Sequence, residues 1–284
     1  MLSNHSDRRV TVVEHPDGSR TLAKTYRRAN GRQIFDEHVA LWNSPFGRMR
    51  DLPGIPRPLH FDPANATVTM ELIEGIPLGR SNEVDPKIAH CGNAARLLVD
   101  FHHSGVIVSR RRSAPSIVRS LQRKAVDLRS SQLGEQYCRL LHRVANMLPQ
   151  AEDLVVSHGD FSPRNVLRCK ARLVIIDLDR LQMSSPARDL AYWGAWVWAT
   201  QRLTDQQPSW DMGDELLENY LSCAGGPRSS NANVVASLGF HRATALARVV
   251  HGWSSMLARP DIAESLLHDA AAALDRRGTT TIVH

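Results

Sequence analysis

Two apolar runs that each lead into acidic or amide side chains constrain this chain more than any other feature. The first run leads into a polar loop that contains Asp160 and Asn165. The second run, 173–176, ends at Asp177 and Asp179. Short β-branched runs bounded by Gly and Pro are typical of buried strands. The pattern predicts two strands that bring carboxylates and an amide oxygen to one place.

These side chains meet the requirements of phosphoryl transfer from a nucleotide, which needs a carboxylate to accept the hydroxyl proton and oxygens to hold Mg²⁺. Asn165 follows Asp160 by five residues, and Asp177 follows 12 residues later. This spacing is typical of a kinase catalytic loop and its metal-binding Asp. We therefore predict Asp160 and Asn165 as catalytic, Asn165 and Asp177 as metal ligands, and Asp179 as an assisting ligand. An ordinary hairpin with polar turn residues is the weaker alternative.

The motifs resemble those of the aminoglycoside phosphotransferase and choline kinase family. The triplet 158–160, His-Gly-Asp, stands where protein kinases have His-Arg-Asp, and 177–179, Asp-Leu-Asp, stands for Asp-Phe-Gly. The triplet 189–191, Asp-Leu-Ala, also matches. The resemblance implies an α+β, two-lobed protein-kinase-like fold with a small β-rich N-lobe and a larger, mainly helical C-lobe. It also implies that His158 buttresses Asp160 and that Asp189 fixes the catalytic loop.

The N-terminal part fits a nucleotide-binding lobe. Strands are predicted over 9–14 and 21–26, and a helix over 33–43. The resemblance implies that Lys24 contacts the phosphates and is held by Glu37. Taken alone, the two would be interpreted as an exposed strand lysine and a solvated helix glutamate, and it is the downstream motifs that favour the functional interpretation. Only about ten residues precede the first strand and no Gly-rich signature is present. The lobe is therefore predicted either to be abbreviated or to cover the phosphates with the turn Asp17-Gly18-Ser19.

A strand over 66–73 is predicted to end at the hinge between the lobes. The resemblance implies that Glu71 and Ile73 offer a carbonyl and an amide to the adenine edge, and an edge strand followed by a turn is the alternative. This boundary predicts an N-lobe over 1–75 and a C-lobe over 76–284 that carries the catalytic loop and the acceptor-binding helices. The C-lobe helices are predicted over 85–101, 135–148, 190–201, 214–220, 241–257 and 261–274.

A basic segment, 106–131, carries seven bases against one acid, Asp127. A solvated helix face is the more common meaning of such a run, and an anion-recognition surface is the other. A polycationic aminoglycoside needs several carboxylates as partners, whereas this chain has a net charge of +6. We therefore expect a neutral or anionic acceptor. An acidic stripe would reverse that expectation if it lined the site. It comprises Asp211, Asp214, Glu215 and Glu218.

The leading prediction is an ATP- and Mg²⁺-dependent phosphotransferase that acts on a hydroxyl of a small molecule. One alternative is an atypical protein kinase, although no activation segment of the usual kind is present. The other is a nucleotide-binding regulatory module without transfer activity. The thin N-lobe favours that module, and the complete set of carboxylates and amide opposes it.

Bulk properties exclude some partners and leave others open. The most apolar run, 190–199, is about half as long as a membrane-spanning helix, which needs about 20 residues, so no membrane partner is expected. A nucleic-acid partner is also not expected. The four cysteines are scattered without metal-like pairing, which fits a reduced, cytoplasmic location. The sequence leaves the oligomeric state and the identity of the acceptor open.

Overall fold

A computed structural model describes residues 3–4, 8–27, 30–48, 52–79, 91–128, 132–170, 172–225, 228–255 and 259–275. An antiparallel five-stranded sheet with one helix forms the N-terminal part, and seven helices with two small sheets make up the described remainder. The predicted α+β, two-lobed protein-kinase-like fold class is confirmed. The described helices contain no stretch long and apolar enough to cross a membrane.

The N-terminal sheet has the strand order β1-β2-β3-β5-β4. Its strands are β1 Ser3–Asn4, β2 Arg8–Glu14, β3 Arg20–Tyr26, β4 Pro58–Asp62 and β5 Thr67–Glu71. The helix α1, Gly31–Trp42, packs on β4 and β5. A small apolar cluster between helix and sheet contains Tyr26, Ile34, Val68 and Met70. The alternation of inward and outward side chains in the strands supplies this cluster.

The helices of the remainder surround two three-stranded sheets. These helices are α2 Cys91–His102, α3 Ala114–Ala125, α4 Gln132–Ala145, α5 Pro186–Leu203, α6 Asp211–Ala224, α7 Arg228–Ser255 and α8 Pro260–Asp275. One sheet has the order β10-β9-β6, with β6 Ile76–Pro77, β9 Val166–Cys169 and β10 Arg172–Ile175. The other has the order β7-β11-β8, with β7 Arg111–Arg112, β8 Val155–Ser157 and β11 Gln182–Ser184.

The connections of these small sheets carry the predicted catalytic residues. The loop with Asp160 and Asn165 joins β8 to β9, and Asp177 and Asp179 lie between β10 and β11. The helix α5 packs behind the loop, where the fully buried Trp193 stacks on Phe161 with 5.2 Å between ring centroids. The catalytic loop is therefore anchored to the core of the larger part.

Several elements differ from the predicted ones. Strands β1, β4, β6 and β7 were not predicted, because strands of two to five residues leave too few positions for a readable alternation. Helix α7 begins at Arg228, well before the predicted residue 241. The predicted start of α2 at 85–90 lies outside the described residues. Within the described residues, the N-terminal sheet has five strands.

The predicted boundary at residue 75 stays a prediction. After it, β6 pairs with β9 and so joins the larger part. Before it, Leu41, Phe46 and Ile55 already pack into the large apolar core instead of the small N-terminal cluster. The end of α1 and the segment that follows it are therefore held by both parts of the molecule.

Candidate active site

Asp189, at the start of α5, holds the first half of the catalytic loop. Its Oδ2 accepts hydrogen bonds from the Ser157 hydroxyl at 2.9 Å and from the His158 N–H at 2.7 Å, and its Oδ1 accepts from the Gly159 N–H at 2.9 Å. The His102 ring lies 3.2 Å from Oδ2. Although burial favours the neutral acid, these donors hold the pKa of Asp189 below its usual range. The ionised carboxylate thereby fixes the backbone that presents the next residue.

His158 and Asn165 connect this loop to the strand that leads to Asp177. The His158 Nε2 lies 2.9 Å from the carbonyl oxygen of Ile176, and its Nδ1 accepts from the Asp160 N–H at 3.2 Å. The N–H of Ile176 donates to the carbonyl of Asn165 at 2.9 Å. Both backbone groups of the residue before Asp177 are thus held by the catalytic loop, so the two predicted motifs form one cluster.

The Asp160 carboxylate is 5 % exposed and is surrounded by cations. Arg248 of α7 donates to Asp160 Oδ1 at 2.8 Å and to the carbonyl of Gly159 at 2.6 Å. Arg164 lies 3.5 Å from the other carboxylate oxygen. Burial opposes ionisation, but the positive charges of Arg248, Arg180 and Arg164 outweigh it and lower the pKa of Asp160 to about 2. The carboxylate is therefore ionised at neutral pH.

This low pKa predicts a pH-dependent contribution to stability. A carboxyl whose folded-state pKa is depressed stabilises the fold above its unfolded pKa and loses that contribution as pH falls through the folded pKa. A pKa lowered from 3.8 to about 2 corresponds to about 2 kcal/mol at neutral pH. We expect Asp160→Asn to be less stable than wild type by about this amount near pH 7, with the gap shrinking below about pH 4. Urea unfolding at several pH values measures the difference in stability and its dependence on pH. A difference independent of pH would contradict the low pKa of Asp160.

Asp177 and Asp179 face two cations of the N-terminal sheet. Lys24 Nζ lies 2.7 Å from Asp177 Oδ1 and 2.9 Å from Asp179 Oδ1. Arg8 donates to both oxygens of Asp177 at 3.0 Å and also contacts Asp179. Burial raises the pKa of Asp177, but Lys24 and Arg8 outweigh it and hold that pKa well below the usual range. Asp177 has a left-handed backbone, φ 63°, which Asp tolerates better than most residues.

The structure corrects the predicted Lys24–Glu37 pair. Glu37 accepts hydrogen bonds from Gln33 Nε2 at 2.9 Å and from the Ser109 hydroxyl at 2.9 Å, while the Lys24 ammonium contacts Asp177 and Asp179. The next residue of α1, His38, faces inward: it is 1 % exposed and its ring lies 2.8 Å from the carbonyl of Pro56. Burial lowers the pKa of His38 to about 4. Helix α1 is rotated so that the position after Glu37 faces the core.

The register of the β2–β3 hairpin shows that the alternative in which the turn Asp17-Gly18-Ser19 covers the phosphates is wrong. Arg8 lies opposite Tyr26 at one end of the β2–β3 ladder, and Glu14 lies opposite Arg20 at the other. Arg8 and Tyr26 both contact Asp179. The β2–β3 ladder runs six residues from Arg8 to Glu14, about 20 Å at strand spacing, and the turn Asp17-Gly18-Ser19 lies beyond that end. That turn is therefore remote from the carboxylates, and the β1–β2 connection, 5–7, lies outside the described residues.

A cavity of about 280 Å³ opens beside the catalytic loop. It is lined by parts of α3, β11, α5 and α7, and by Gly159 of the loop itself. Gly159 has a φ of +73°, and a Cβ there would collide with the carbonyl of Arg180 and the side chain of Gln182. The basic segment lines this cavity through Arg110, Arg112 and Lys124, and the acidic stripe of α6 does not.

Comparison of the sequence with known protein families identifies the family of this chain. Residues 3–223, more than half of the chain, match the family described as APH, phosphotransferase enzyme family. The chain belongs to the phosphotransferase enzyme family. Membership confirms the suspected family and the prediction of a phosphotransferase enzyme. No curated protein sequence matches the chain significantly.

Solved structures support the fold of this phosphotransferase at low sequence identity. A choline kinase from Cryptosporidium parvum is 13 % identical with a TM-score of 0.69, covering 96 % of this chain and 88 % of that one. A choline/ethanolamine kinase family protein from Mesorhizobium loti is 15 % identical with a TM-score of 0.63, covering 94 % and 88 %. A spectinomycin phosphotransferase, solved with ADP and spectinomycin, is 13 % identical with a TM-score of 0.62, covering 95 % and 90 %.

The donor set of the phosphotransferase fits a nucleotide-associated Mg²⁺. The described residues contain no group of three or more His, Cys, Asp or Glu that could hold a metal. Mg²⁺ usually takes only one or two carboxylates from protein and completes its shell with phosphates and waters. Asp177 and Asp179 supply two carboxylates. Asn165 donates through Nδ2 to the carbonyl of Asp160 at 2.9 Å, which fixes its amide and leaves Oδ1 as an acceptor.

The predicted adenine contacts remain predictions. Glu71 ends β5 and donates its N–H to the carbonyl of Arg57 at 2.8 Å, while its carboxylate accepts from the Arg57 N–H at 3.0 Å. Ile73 lies in the segment that connects β5 to β6. The phosphotransferase therefore has a strand end and a short connection between its two parts at the position expected of a hinge.

Sequence reasoning missed Arg8 and Arg248. Nothing distinguishes Arg8 in the sequence, because it lies at the start of a short strand among other basic residues. Arg248 did carry a signal, since it stands alone in the apolar run 243–250 of a helix. A cation in such a run needs a partner when it is buried, and that partner is Asp160.

Proposed function

We propose that this phosphotransferase transfers the γ-phosphoryl group of ATP to a hydroxyl of a small molecule, with Mg²⁺ as the required ion. The proposal depends above all on one observation, the joining of the Asp160 loop to Asp177 through both backbone groups of Ile176. Lys24 at Asp177 and Asp179 adds a cation beside the phosphate position.

Each residue then has a distinct task in a balanced step. The hydroxyl oxygen forms a bond to the γ-phosphorus as the bond to the β–γ bridging oxygen breaks, and ADP leaves. Asp160 orients the hydroxyl and accepts its proton. Asn165, Asp177 and Asp179 would hold the metal, which when bound offsets phosphate charge. Lys24 positions phosphate oxygens, while His158 and Asp189 keep Asp160 in place.

The acceptor proposed here is neutral or anionic, because the cavity beside Asp160 is lined by basic residues and by none of the acids of α6. Glu71 and Ile73 are proposed to receive the adenine through backbone groups. We also propose a cytoplasmic location, where ATP is abundant and the four free cysteines stay reduced.

Transfer of labelled phosphate from γ-labelled ATP tests the function. Label in a small molecule supports the proposal, and label in protein substrates would indicate an atypical protein kinase instead. One observation favours the regulatory alternative: Arg8 and Lys24 already pair with the carboxylates that would hold the metal. That alternative predicts nucleotide binding with label in neither fraction.

Lys24→Met is expected to weaken binding of ATP more than binding of adenosine. The ammonium is 4 % exposed and lies at the carboxylates that face the phosphates, whereas the adenine is proposed to bind near Glu71. Loss of one charge-assisted contact should cost ATP about 10- to 100-fold in affinity. Calorimetric titration with both ligands measures the difference. Equal losses for ATP and adenosine would mean that Lys24 acts only in the fold.

A further inference from the structure

Six cationic side chains line the cavity beside Asp160. They are Arg110, Arg112, Lys124, Arg180, Arg188 and Arg248. They come from three separated regions of the chain, namely 110–124, which includes α3, the region 180–188 and α7. Among the described residues, no Asp or Glu lines the cavity. A cavity assembled in this way concentrates positive charge where the acceptor must bind.

Five of these six cations lack a carboxylate partner. Arg248 pairs with Asp160, but within the part of the chain that the structure describes no Asp or Glu oxygen lies within 4.0 Å of the other five. Their mutual repulsion adds to the cost of burial. Burial and Arg248 lower the pKa of Lys124 to about 8, and burial and Arg248 lower the pKa of Arg188 to about 9. An unpaired cation in a cavity is costly to the apo protein and favours an anionic ligand.

Polar atoms without partners point to the same cavity. Seven buried side-chain nitrogen or oxygen atoms in the described residues lack a hydrogen-bond partner, and three of them belong to cavity-lining residues: Arg188 Nη1, Gln182 Nε2 and His241 Nδ1. Two are donors. The third belongs to a ring whose other nitrogen lies 2.7 Å from Glu152. Buried polar groups are nearly always paired in native proteins, and a ligand with acceptor oxygens would supply partners for the two donors, Arg188 Nη1 and Gln182 Nε2.

We propose that this cavity binds the acceptor through a phosphate group, so that the substrate is a phosphorylated alcohol of sugar-phosphate size. The proposal rests on the proposed function and narrows its acceptor. A phosphomonoester carries about −1.5 to −2 charges at neutral pH and three acceptor oxygens, and Arg binds it in a two-pronged manner. Transfer of the γ-phosphoryl group to a free hydroxyl would then yield a doubly phosphorylated product and ADP.

Two rival ligands explain the cavity less well. A monocarboxylate carries one charge and would leave most of the five cations uncompensated. The γ-phosphate of ATP is expected beside Lys24 and Asp177, and neither of these residues lines the cavity that Arg110, Arg112 and Lys124 line. The volume of about 280 Å³ lies near the lower limit for small-molecule sites, about 300 Å³, which suits a compact ligand.

The test compares three matched probes without ATP: glucose 6-phosphate, gluconate and glucose. Calorimetric titration should show that glucose 6-phosphate binds about 10- to 100-fold more tightly than glucose, with gluconate between them. Affinity should fall as salt rises. Equal affinity for glucose 6-phosphate and glucose, or no measurable binding of either glucose 6-phosphate or inorganic phosphate, would overturn the proposal.

Arg188→Gln and Lys124→Gln are the test variants, and Arg119→Gln is the matched control. Arg119 is exposed on α3 and does not line the cavity. Since Arg188→Gln removes a half-buried cation that has no carboxylate partner, we expect this variant to fold at least as stably as wild type. Both test variants should lose about tenfold in affinity for glucose 6-phosphate, and the control should keep it. If the affinity for glucose 6-phosphate changes equally in all three variants, the cavity is not the anion site.

Two further readouts separate this proposal from the proposed function. Glucose 6-phosphate should still bind when the non-hydrolysable analogue adenylyl imidodiphosphate and Mg²⁺ are saturating; displacement by the analogue would assign the cations to the nucleotide and overturn the proposal. If glucose 6-phosphate binds in an Arg188-dependent way but label is transferred to none of the acceptors tested, the proposed function fails and the anion site stands. If label transfers to neutral alcohols in preference to phosphorylated ones, the function stands and this proposal fails.

Discussion

Replacing Asp160 by Asn is expected to lower kcat by about 10²- to 10⁴-fold, the usual contribution of a positioned general base. The change is nearly isosteric, so the loop keeps its shape through Asp189 and His158. It removes the charge that pairs with Arg248 at 2.8 Å and the group that accepts the hydroxyl proton. Transfer of label to the best wild-type acceptor measures kcat.

Nucleotide binding should change little in the same variant, because Asp160 contacts the acceptor side of the site. The exposed Asp36, which pairs only with Arg32 on the surface of α1, provides the matched control Asp36→Asn. That control should retain wild-type turnover and affinity. If Asp160→Asn keeps more than about a tenth of the wild-type kcat, well above the range expected for a lost base, Asp160 does not have this role.

Asp177→Asn is expected to abolish the metal dependence of ATP binding and to weaken that binding on the order of 100-fold, since even groups outside the first shell of a metal cost about 10- to 100-fold. The catalytic loop and the two cations of the sheet, Arg8 and Lys24, together fix the position of Asp177. Calorimetric titration of ATP with and without Mg²⁺ gives both quantities. Unchanged affinity together with unchanged metal dependence would falsify the metal assignment.

Asp179→Asn is the matched comparison for this variant. Both carboxylates pair with Lys24 and Arg8, so each substitution should cost about 1–3 kcal/mol of stability, measured by urea unfolding. Asp179 additionally accepts from the Tyr26 hydroxyl at 2.9 Å, which ties it to the sheet. We therefore expect similar destabilisation in both variants, with complete loss of metal dependence only in Asp177→Asn. Complete loss in both would assign the two residues equal roles as ligands.

Arg8 and Lys24 also explain how the two parts of the molecule are held without a nucleotide. Each cation belongs to the N-terminal sheet, and each contacts carboxylates of the connection between β10 and β11. Two partly buried carboxylates close together would repel, and the cations offset that repulsion. A metal ion bound to Asp177, as proposed, would compete with Arg8 for its carboxylate oxygens and would thereby couple ligand binding to the contact between sheet and loop.

Much of the fold could be predicted because its signals are local. The alternation in β2 and β3, the apolar periodicity of the long helices and the Gly and Pro residues around the catalytic loop each determine structure over a few neighbouring residues. Strands β1, β6 and β7 could not be predicted, because their two residues become strands only through pairing with distant partners. The start of α7 was placed late because residues 228–240 are mostly small and polar and carry weak helical periodicity.

The sequence by itself determined which residues make up the proposed catalytic centre of this phosphotransferase: Asp160, Asn165 and Asp177 lie at the spacing typical of a kinase catalytic loop and its metal-binding Asp, and Asp189 follows close enough to hold that loop. Tertiary structure alone decided which charges surround them. The rotation of α1 turned Glu37 outward and His38 inward, and the packing of α7 brought Arg248 to Asp160 from 88 residues away. The cationic cavity likewise gathers its cations from three separated regions of the chain. Long-range charge pairing depends on packing angles and helix rotation, for which no local pattern of residues carries a signal.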